Sequence, residues 1–400
     1  MPRSSPAKSP SLLIAAVSGR SLAAAAKRAG FVPLVADFFA DADTGRIAHA
    51  CLKLDGENKR GLKWKHVAPA LEALAKQAPS PLLGLVYGSG FEDRVELLAK
   101  LAERWLLLGN DASTVERVKA PKSFFGALAH LGVPHPRTVT EPPPAEDGWL
   151  AKRQGRAGGS HIVASHVVTS QSVRHAVAGA NPERRTYFQE KVQGRAVSAL
   201  FVGNGDRARV LGFSEQWTAP TKAARWRYGG AVRPAELSSD LEEHMTDSVE
   251  RVARTFELKG LGSADFLLSE GERNEARALL LEINPRPGAT LDVFDSEARP
   301  LIRLHLDAVL EHRLPDGQLN LPEASAAAIV YAMEPVTVSR TMEWPDWTAD
   351  RPKWGECIDK NRPICTVLAR SGTKAEAKRL TEERISIILA ACARQRRGNQ

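Results

Sequence analysis

Glu282 and Asn284 stand two residues apart in LLLEINPRPG, the run from Leu279 to Gly288. On an extended backbone that spacing turns a carboxylate and a carboxamide the same way. Leu281 and Ile283 are expected on the opposite face, toward a core. Asp265 lies upstream in a second apolar run, SADFLL, and the turn-rich SEGERNE separates the two. Two strands joined by that turn would gather Asp265, Glu282 and Asn284 into one set of hard oxygen donors. Such donors suit Mg²⁺, which takes one or two carboxylates and fills its shell with water and phosphate oxygens. Pro285 and Pro287 end the strand, and Arg286 adds a fixed positive charge. The wet face of a surface hairpin shows the same alternation, so the rest of the chain has to decide.

Groups suited to a polyanion lie earlier. Lys152 stands on a predicted strand, WLAKR, ahead of the glycine-rich GRAGGSH. Gly158, Gly159 and Ser160 there can lay backbone amides over phosphates while the lysine supplies a point charge. The order differs from a Walker loop, whose lysine follows its glycines and opens a helix, and a plain hairpin turn fits the glycines equally well. Glu190, Lys191 and Val192 close another apolar strand, where backbone donors and acceptors can meet an adenine edge. No Ser/His/Asp or Cys/His constellation stands out. Arg20 and Arg227 could pair with substrate carboxylates or phosphates, with surface ion pairs as the simpler account of each. Asp37, Asp41 and Asp43 read as a capped turn before a cation site; His135 and His161 read as loop histidines.

Positioning these groups takes two kinds of layer. Between residues 12 and about 110, short apolar runs (LLIAAV, FVPLVAD, PLLGLVYGSG, LLLGN) alternate with helical patterns (SLAAAAKRAG, WKHVAPALEALAKQ, RVELLAKLAERW). That alternation predicts a parallel sheet with crossover helices. Ligands then belong beyond the carboxyl ends of its strands. The loops there contain Ser18, Gly19 and Arg20, and then Ser89, Phe91 and Glu92. From Pro121 the pattern changes to a glycine-terminated helix, PKSFFGALAHLG, and several hairpins, one of them built on Asn204-Gly205-Asp206. DLEEHMTDSVERVARTFEL is an amphipathic helix, and KAEAKRLTEERISIILAACAR a long closing one. The expected division is a disordered leader at 1–10, a Rossmann-like domain at 11–115, a catalytic domain at 116–312 and a small α+β domain at 320–400.

Composition narrows the class. The chain has 400 residues, 43% hydrophobic and 26% charged, as an ordinary globular protein does. Its four cysteines show no CxxC spacing, which excludes a zinc ribbon and points to reduced thiols in the cytoplasm. No apolar run approaches a membrane span. The formal charge of +8 could serve nucleic acid, but the basic residues are scattered and no nucleic-acid module is recognisable. A pocket for polyanionic substrates accounts for the charge more simply.

The order of lysine, glycine turn, hinge acid and then Asp…Glu-x-Asn resembles the ATP-grasp superfamily, over residues 12 to about 310. The resemblance is to a branch of ATP-dependent carboligases related to biotin carboxylase and D-alanine–D-alanine ligase, and PICTVLA resembles the carboxylase tail. It implies an ATP-grasp fold behind a Rossmann-like parallel-sheet domain. Lys122 and Lys152 are similar to the two phosphate-holding lysines, and Gly158, Gly159 and Ser160 to the lid. Glu190, Lys191 and Val192 are similar to the adenine hinge, and Asp265, Glu282 and Asn284 to the Mg²⁺ (or Mn²⁺) ligands. Arg286, with Lys152, is similar to the catalytic cation at the transferring phosphate. Ala196 stands where many members bear a ribose-binding acid. The expected reaction joins a small carboxylate to an amine through an acyl phosphate, releasing ADP. Ser18, Gly19, Arg20, Ser89, Glu92, Arg227 and Gly288 are its substrate candidates. Relatives of this branch join glutamate-like units to one-carbon cofactors, and such ligases are ordinarily dimers. A carboxylase or small-molecule kinase is the alternative on the same fold; a non-catalytic nucleotide or nucleic-acid binder is the alternative from another class.

Overall fold

The computed structural model describes residues 9–56, 61–143, 148–164, 186–270 and 276–398. The expected leader, apart from Ser9 and Pro10, lies outside the described residues, as do the strand expected at 166–168 and most of the SEGERNE turn.

Strands β1 (Ser11–Ala15), β2 (Val32–Asp37), β3 (Ala50–Lys53) and β4 (Leu82–Tyr87) form a parallel sheet in the order β3-β2-β1-β4. β1 is nearly all apolar because both its faces are covered. Leu13 and Ala15 pack with the helix Trp64–Lys76, and Leu12 and Ile14 with the helices Arg20–Arg28 and Leu301–Glu311. The second of these clusters also holds Leu200 and Leu261 of the large sheet described below, so the N-terminal and catalytic parts share a core. The strand expected at LLLGN is reduced to one parallel bridge, Leu85 with Leu107.

A small antiparallel sheet follows, with β5 (Thr138–Val139), β6 (Trp149–Arg153), β7 (Val163–Ala164) and β8 (Thr186–Glu190) in the order β5-β8-β6-β7. The large sheet begins with β9 (Arg195–Asn204), β10 (Ala208–Thr218), β11 (Tyr228–Arg233), β12 (Lys259–Glu270) and β13 (Ala276–Asn284). The C-terminal segment adds β14 (Ala324–Tyr331), a two-stranded pair of β15 (Val336–Thr337) with β17 (Cys357–Ile358), β16 (Thr348–Ala349) and β18 (Pro363–Ser371). The large sheet's order is β13-β12-β9-β10-β11-β14-β18-β16. The segment from about residue 320 therefore extends the catalytic sheet instead of closing a separate one, because the outer edge of β11 pairs with β14.

Helices Pro121–Leu131 and Ser239–Thr255 cover β9, β12 and β13. Asp111 caps the helix Ala112–Lys119 by accepting from the Thr114 N–H at 2.8 Å. Pro121 then holds Ala120 extended (ψ 117°) and opens the next helix, which ends at Gly132 in the left-handed region (φ 64°). Among the described residues no helix is long and apolar enough to cross a membrane.

Candidate active site

Asp265 on β12 stands opposite Glu282 on β13, and Ser263 opposite Asn284. The register slips between Asp265 and Phe266, whose partner is Leu280, leaving Leu281 as an extra residue on β13. Such a bulge breaks the two-residue alternation. Leu280 and Ile283, three apart, are both in the core, whereas Leu281 is half-buried and lines the cleft beside Glu282. The expectation that Leu281 faces the core assumed an unbroken ladder and is corrected by the bulge.

Hydrogen bonds tie the three donors together. The Ser198 hydroxyl donates to Asp265 Oδ1 at 2.6 Å, and Asn284 Nδ2 donates to Asp265 Oδ2 at 3.1 Å. Lys119 Nζ donates to Asn284 Oδ1 at 2.9 Å and to Glu282 Oε2 at 3.2 Å. Burial and the neighbouring Glu282 charge push the Asp265 carboxyl up. Burial pushes Glu282 up as well, but Lys119 and Lys152 outweigh it and hold the carboxyl below its usual range. No three His, Cys, Asp or Glu side chains among the described residues gather to hold a metal ion. The set here is two carboxylates and a carboxamide, all hard oxygen donors, and its oxygens already accept one ammonium cation. That chemistry fits Mg²⁺ or Mn²⁺.

Lys119 escaped the sequence reading. Lys122, expected at the phosphates, is exposed on the first turn of its helix, whereas Lys119 is 8% exposed and in the cluster. The overlooked signal is the Asp111-capped helix, which ends on a lysine just before Ala120-Pro121. A cation there also meets the negative end of the helix dipole.

Lys152 is buried on β6, donating to Gln189 Oε1 at 2.5 Å. Burial lowers its pKa to about 8, against the opposing pull of Glu282 and Asp265. A cleft opens between the two sheets, lined by Lys119, Arg153, Arg156, Phe125, Tyr187 and Glu282 among others. Gln154 Oε1 and His161 Nδ1 are buried beside it without a hydrogen-bond partner among the described residues. Burial pushes His161 down to about 4, so its ring is neutral. The glycine loop rests on its surroundings: the Tyr228 N–H donates to the Gly158 carbonyl at 3.1 Å, and any Cβ at Gly159 (φ 70°) would strike the Trp226 carbonyl. Ser160 is exposed. At the hinge, the Glu190 N–H donates to the Arg137 carbonyl (2.8 Å) and the Lys191 N–H to the Gly148 carbonyl (2.7 Å). The Glu190 and Lys191 side chains are exposed, and Val192 is half-buried.

The substrate candidates divide. Glu92 and Arg286 meet: Arg286 Nε donates to Glu92 Oε1 at 2.7 Å, and Arg286 holds the Glu92 carboxyl low against the burial that would raise it. Arg286 also lowers Asp265 through its charge. A Cβ at Gly288 would collide with the Arg286 guanidinium. Arg20, offered as a substrate anchor, is committed elsewhere. Its guanidinium donates to Asp292 (2.5 and 2.7 Å) and to Asp350 (3.0 and 2.8 Å), and Ser18 also bonds Asp350. Those two carboxylates approach only on folding, which spacing could not reveal. Arg227 is likewise held, over the Tyr331 ring at 3.6 Å and by the Ala219 and Asn361 carbonyls. The Gly19 N–H donates to Asp37 Oδ2 at 2.7 Å, and the Ser89 carbonyl accepts from the Val17 N–H at 2.9 Å.

The cleft thus carries Lys119, Arg153 and Arg156 together with the Glu282 carboxylate. Residues 122–290 match the family model of the ATP-grasp domain. In fold the chain is similar to a biotin carboxylase–beta-gamma-ATP complex from Campylobacter jejuni, at 13% identity and TM-score 0.69 over 92% of this chain and 88% of that one. An L-amino acid ligase from Bacillus licheniformis gives 14% identity and TM-score 0.69, over 94% and 97%. N5-carboxyaminoimidazole synthetase from Staphylococcus aureus, complexed with ADP, gives 12% and 0.63, over 95% and 98%. At these identities the likeness is one of fold. In sequence, 195 residues are 25% identical to an uncharacterized protein of Methanocaldococcus jannaschii, spanning 49% of this chain and 45% of that relative.

Proposed function

We propose that the protein is an ATP-dependent ligase that joins a small carboxylate to an amine and releases ADP and phosphate. The observation that carries the reading is the Asp265–Glu282–Asn284 oxygen set facing Lys119 and Lys152 inside an ATP-grasp domain. Asp265, Glu282 and Asn284 would hold Mg²⁺ or Mn²⁺, which supplies charge neutralisation at the nucleotide phosphates. Lys119, Lys152 and Arg156 would bind those phosphates, with Gly158, Gly159 and Ser160 above them and Glu190 to Val192 at the adenine.

In the first step a substrate carboxylate oxygen attacks the γ-phosphorus and ADP leaves; in the second an amine attacks the acyl carbon and phosphate leaves. Both are chiefly problems of positioning and electrostatics. Arg286, close enough to lower Asp265, would stabilise the oxyanion of the second step. Ser18, Gly19, Ser89 and Gly288 remain the acceptor-side candidates, since Arg20 and Arg227 are already paired. Packing of the glycine loop on Trp226 and Tyr228 supports its reading as the part that keeps water from the acyl phosphate.

The test is ADP release with pools of acids, including one-carbon cofactor acids, and amines, in wild type and Glu282→Ala. The expected result is turnover requiring both pools and reduced about 100-fold or more in the variant. AMP and pyrophosphate as products would sink the reading. Bicarbonate-dependent turnover would select a carboxylase instead, and a phosphorylated hydroxyl a kinase.

A further inference from the structure

We propose that Glu92 and Asp93 are a positioning pair, coupling the seating of the glycine loop to the placement of Arg286; this rests on the ligase reading above. The two residues lie in the loop after β4, which is pinned by local hydrogen bonds and a buried ring. Phe91 is fully buried, Glu92 Oε2 accepts from the Gly90 N–H at 2.8 Å, and the Arg94 N–H donates to the Phe91 carbonyl at 2.9 Å. From this base the two neighbours face different partners.

Glu92 holds the cation. Its carboxylate, with a side chain 2% exposed, pairs with Arg286 at 2.7 Å, whose own side chain is 7% exposed. The bond uses Nε, Nη1 donates to the Pro287 carbonyl at 3.3 Å, and the guanidinium charge is close enough to lower Asp265. Glu92 also touches the loop through its backbone. A Cβ at Gly155 (φ 72°) would strike the Glu92 carbonyl, so only glycine allows this approach. Asp93 completes the seat, lying 2.9 Å from Arg156, the residue after Gly155. Arg156 belongs to the cleft wall. One dipeptide of the N-terminal sheet thus contacts both ends of the site. A loop that is not seated on Asp93 also leaves the Glu92 carbonyl uncovered beside the carboxylate that orients Arg286. Seating of the loop and orientation of the cation then occur together, as a site that must exclude water before reacting requires.

The experiment compares Glu92→Gln, Asp93→Asn and the double variant in the full-length protein. Nucleotide affinity is read by calorimetry with AMP-PNP and Mg²⁺, loop seating by the rate of trypsin cleavage after Arg153 and Arg156, and chemistry by ADP release. Glu92→Gln is expected to lower kcat at least tenfold with the KM for ATP within twofold. Asp93→Asn is expected to speed cleavage at both sites at least fivefold in the presence of AMP-PNP, and to lower kcat as well. The double variant should be no slower than the worse single one, because both changes break one device. Arg156→Gln, which removes its own tryptic site, should reproduce at Arg153 the faster cleavage of Asp93→Asn, and Arg156→Lys should restore protection, which guards against a folding defect in the aspartate variant. Multiplicative kcat losses, or wild-type protection in Asp93→Asn and Arg156→Gln, would overturn the coupling. The proteolysis and calorimetry need no turnover, so failure of the ligase reading would show separately, as tight AMP-PNP binding without ADP release in wild type.

Discussion

The cleft and the junction beside the N-terminal sheet are both crowded with charge, yet they treat it oppositely. At the junction the polar groups satisfy one another. Arg20 is held by Asp292 and Asp350, Asp37 accepts from the Gly19, Phe39 and Ala40 amides, and His305 has both ring nitrogens bonded, to the Leu261 N–H and the Leu108 carbonyl. In the cleft Lys119 and Lys152 crowd together, two carboxylates share one wall, and His161 Nδ1 and Gln154 Oε1 go unpaired among the described residues. Saturated polar groups hold a structure together, whereas a buried group short of a partner calls for an explanation, and for His161 and Gln154 the proposed ligand supplies one.

Breaking the junction should cost stability. Arg20→Ala would strand two partly buried carboxylates, and a loss of about 2–4 kcal/mol in unfolding free energy is expected, read by denaturant titration. The two histidines sharpen the contrast, because burial lowers both to about 4. His305→Ala should cost about 2–3 kcal/mol through two lost hydrogen bonds. His161→Ala should leave the unfolding midpoint within about 0.5 kcal/mol while lowering ADP release. An equal stability loss in both would erase the distinction.

Acidity tests the cleft more gently. With Lys152 near pKa about 8 against an ordinary 10.5, the folded protein gives up this proton between those values while the unfolded chain still holds it. Stability from this group therefore rises with pH across that window. Phosphate binding runs the other way, so kcat/KM for ATP should fall up to tenfold per pH unit above about 8; Lys152→Gln should abolish that limb. A smaller loss than at the junction is expected in Ser198→Ala, about 1.5 kcal/mol from one bond to a carboxylate. Because that bond lowers Asp265, its loss should move the acid limb of the pH profile upward.

Much of this was legible beforehand, for local reasons. The parallel sheet followed from alternating apolar runs and helical patterns, and the helix ends from Pro121 and Gly132. The pairing of Asp265 with Glu282 followed from two strands and a turn. Misplaced residues each have a non-local cause. Leu281 was assigned to the core because the bulge depends on how β12 meets β13. Lys119 was not singled out beside Lys122, since only the packed helix shows that it turns inward. Arg20 and Arg227 looked available until the chain brought Asp292, Asp350 and Tyr331 to them.

The amino-acid sequence by itself determined the element types, the two-residue spacing of Glu282 and Asn284, and the glycines and lysines that a phosphate-binding cleft requires, because these depend on neighbours along the chain. Tertiary structure alone decided which cations are spent and which remain. Asp292 and Asp350 lie 272 and 330 residues from Arg20, and charges that far apart in sequence are neutralised only when folding carries them into contact.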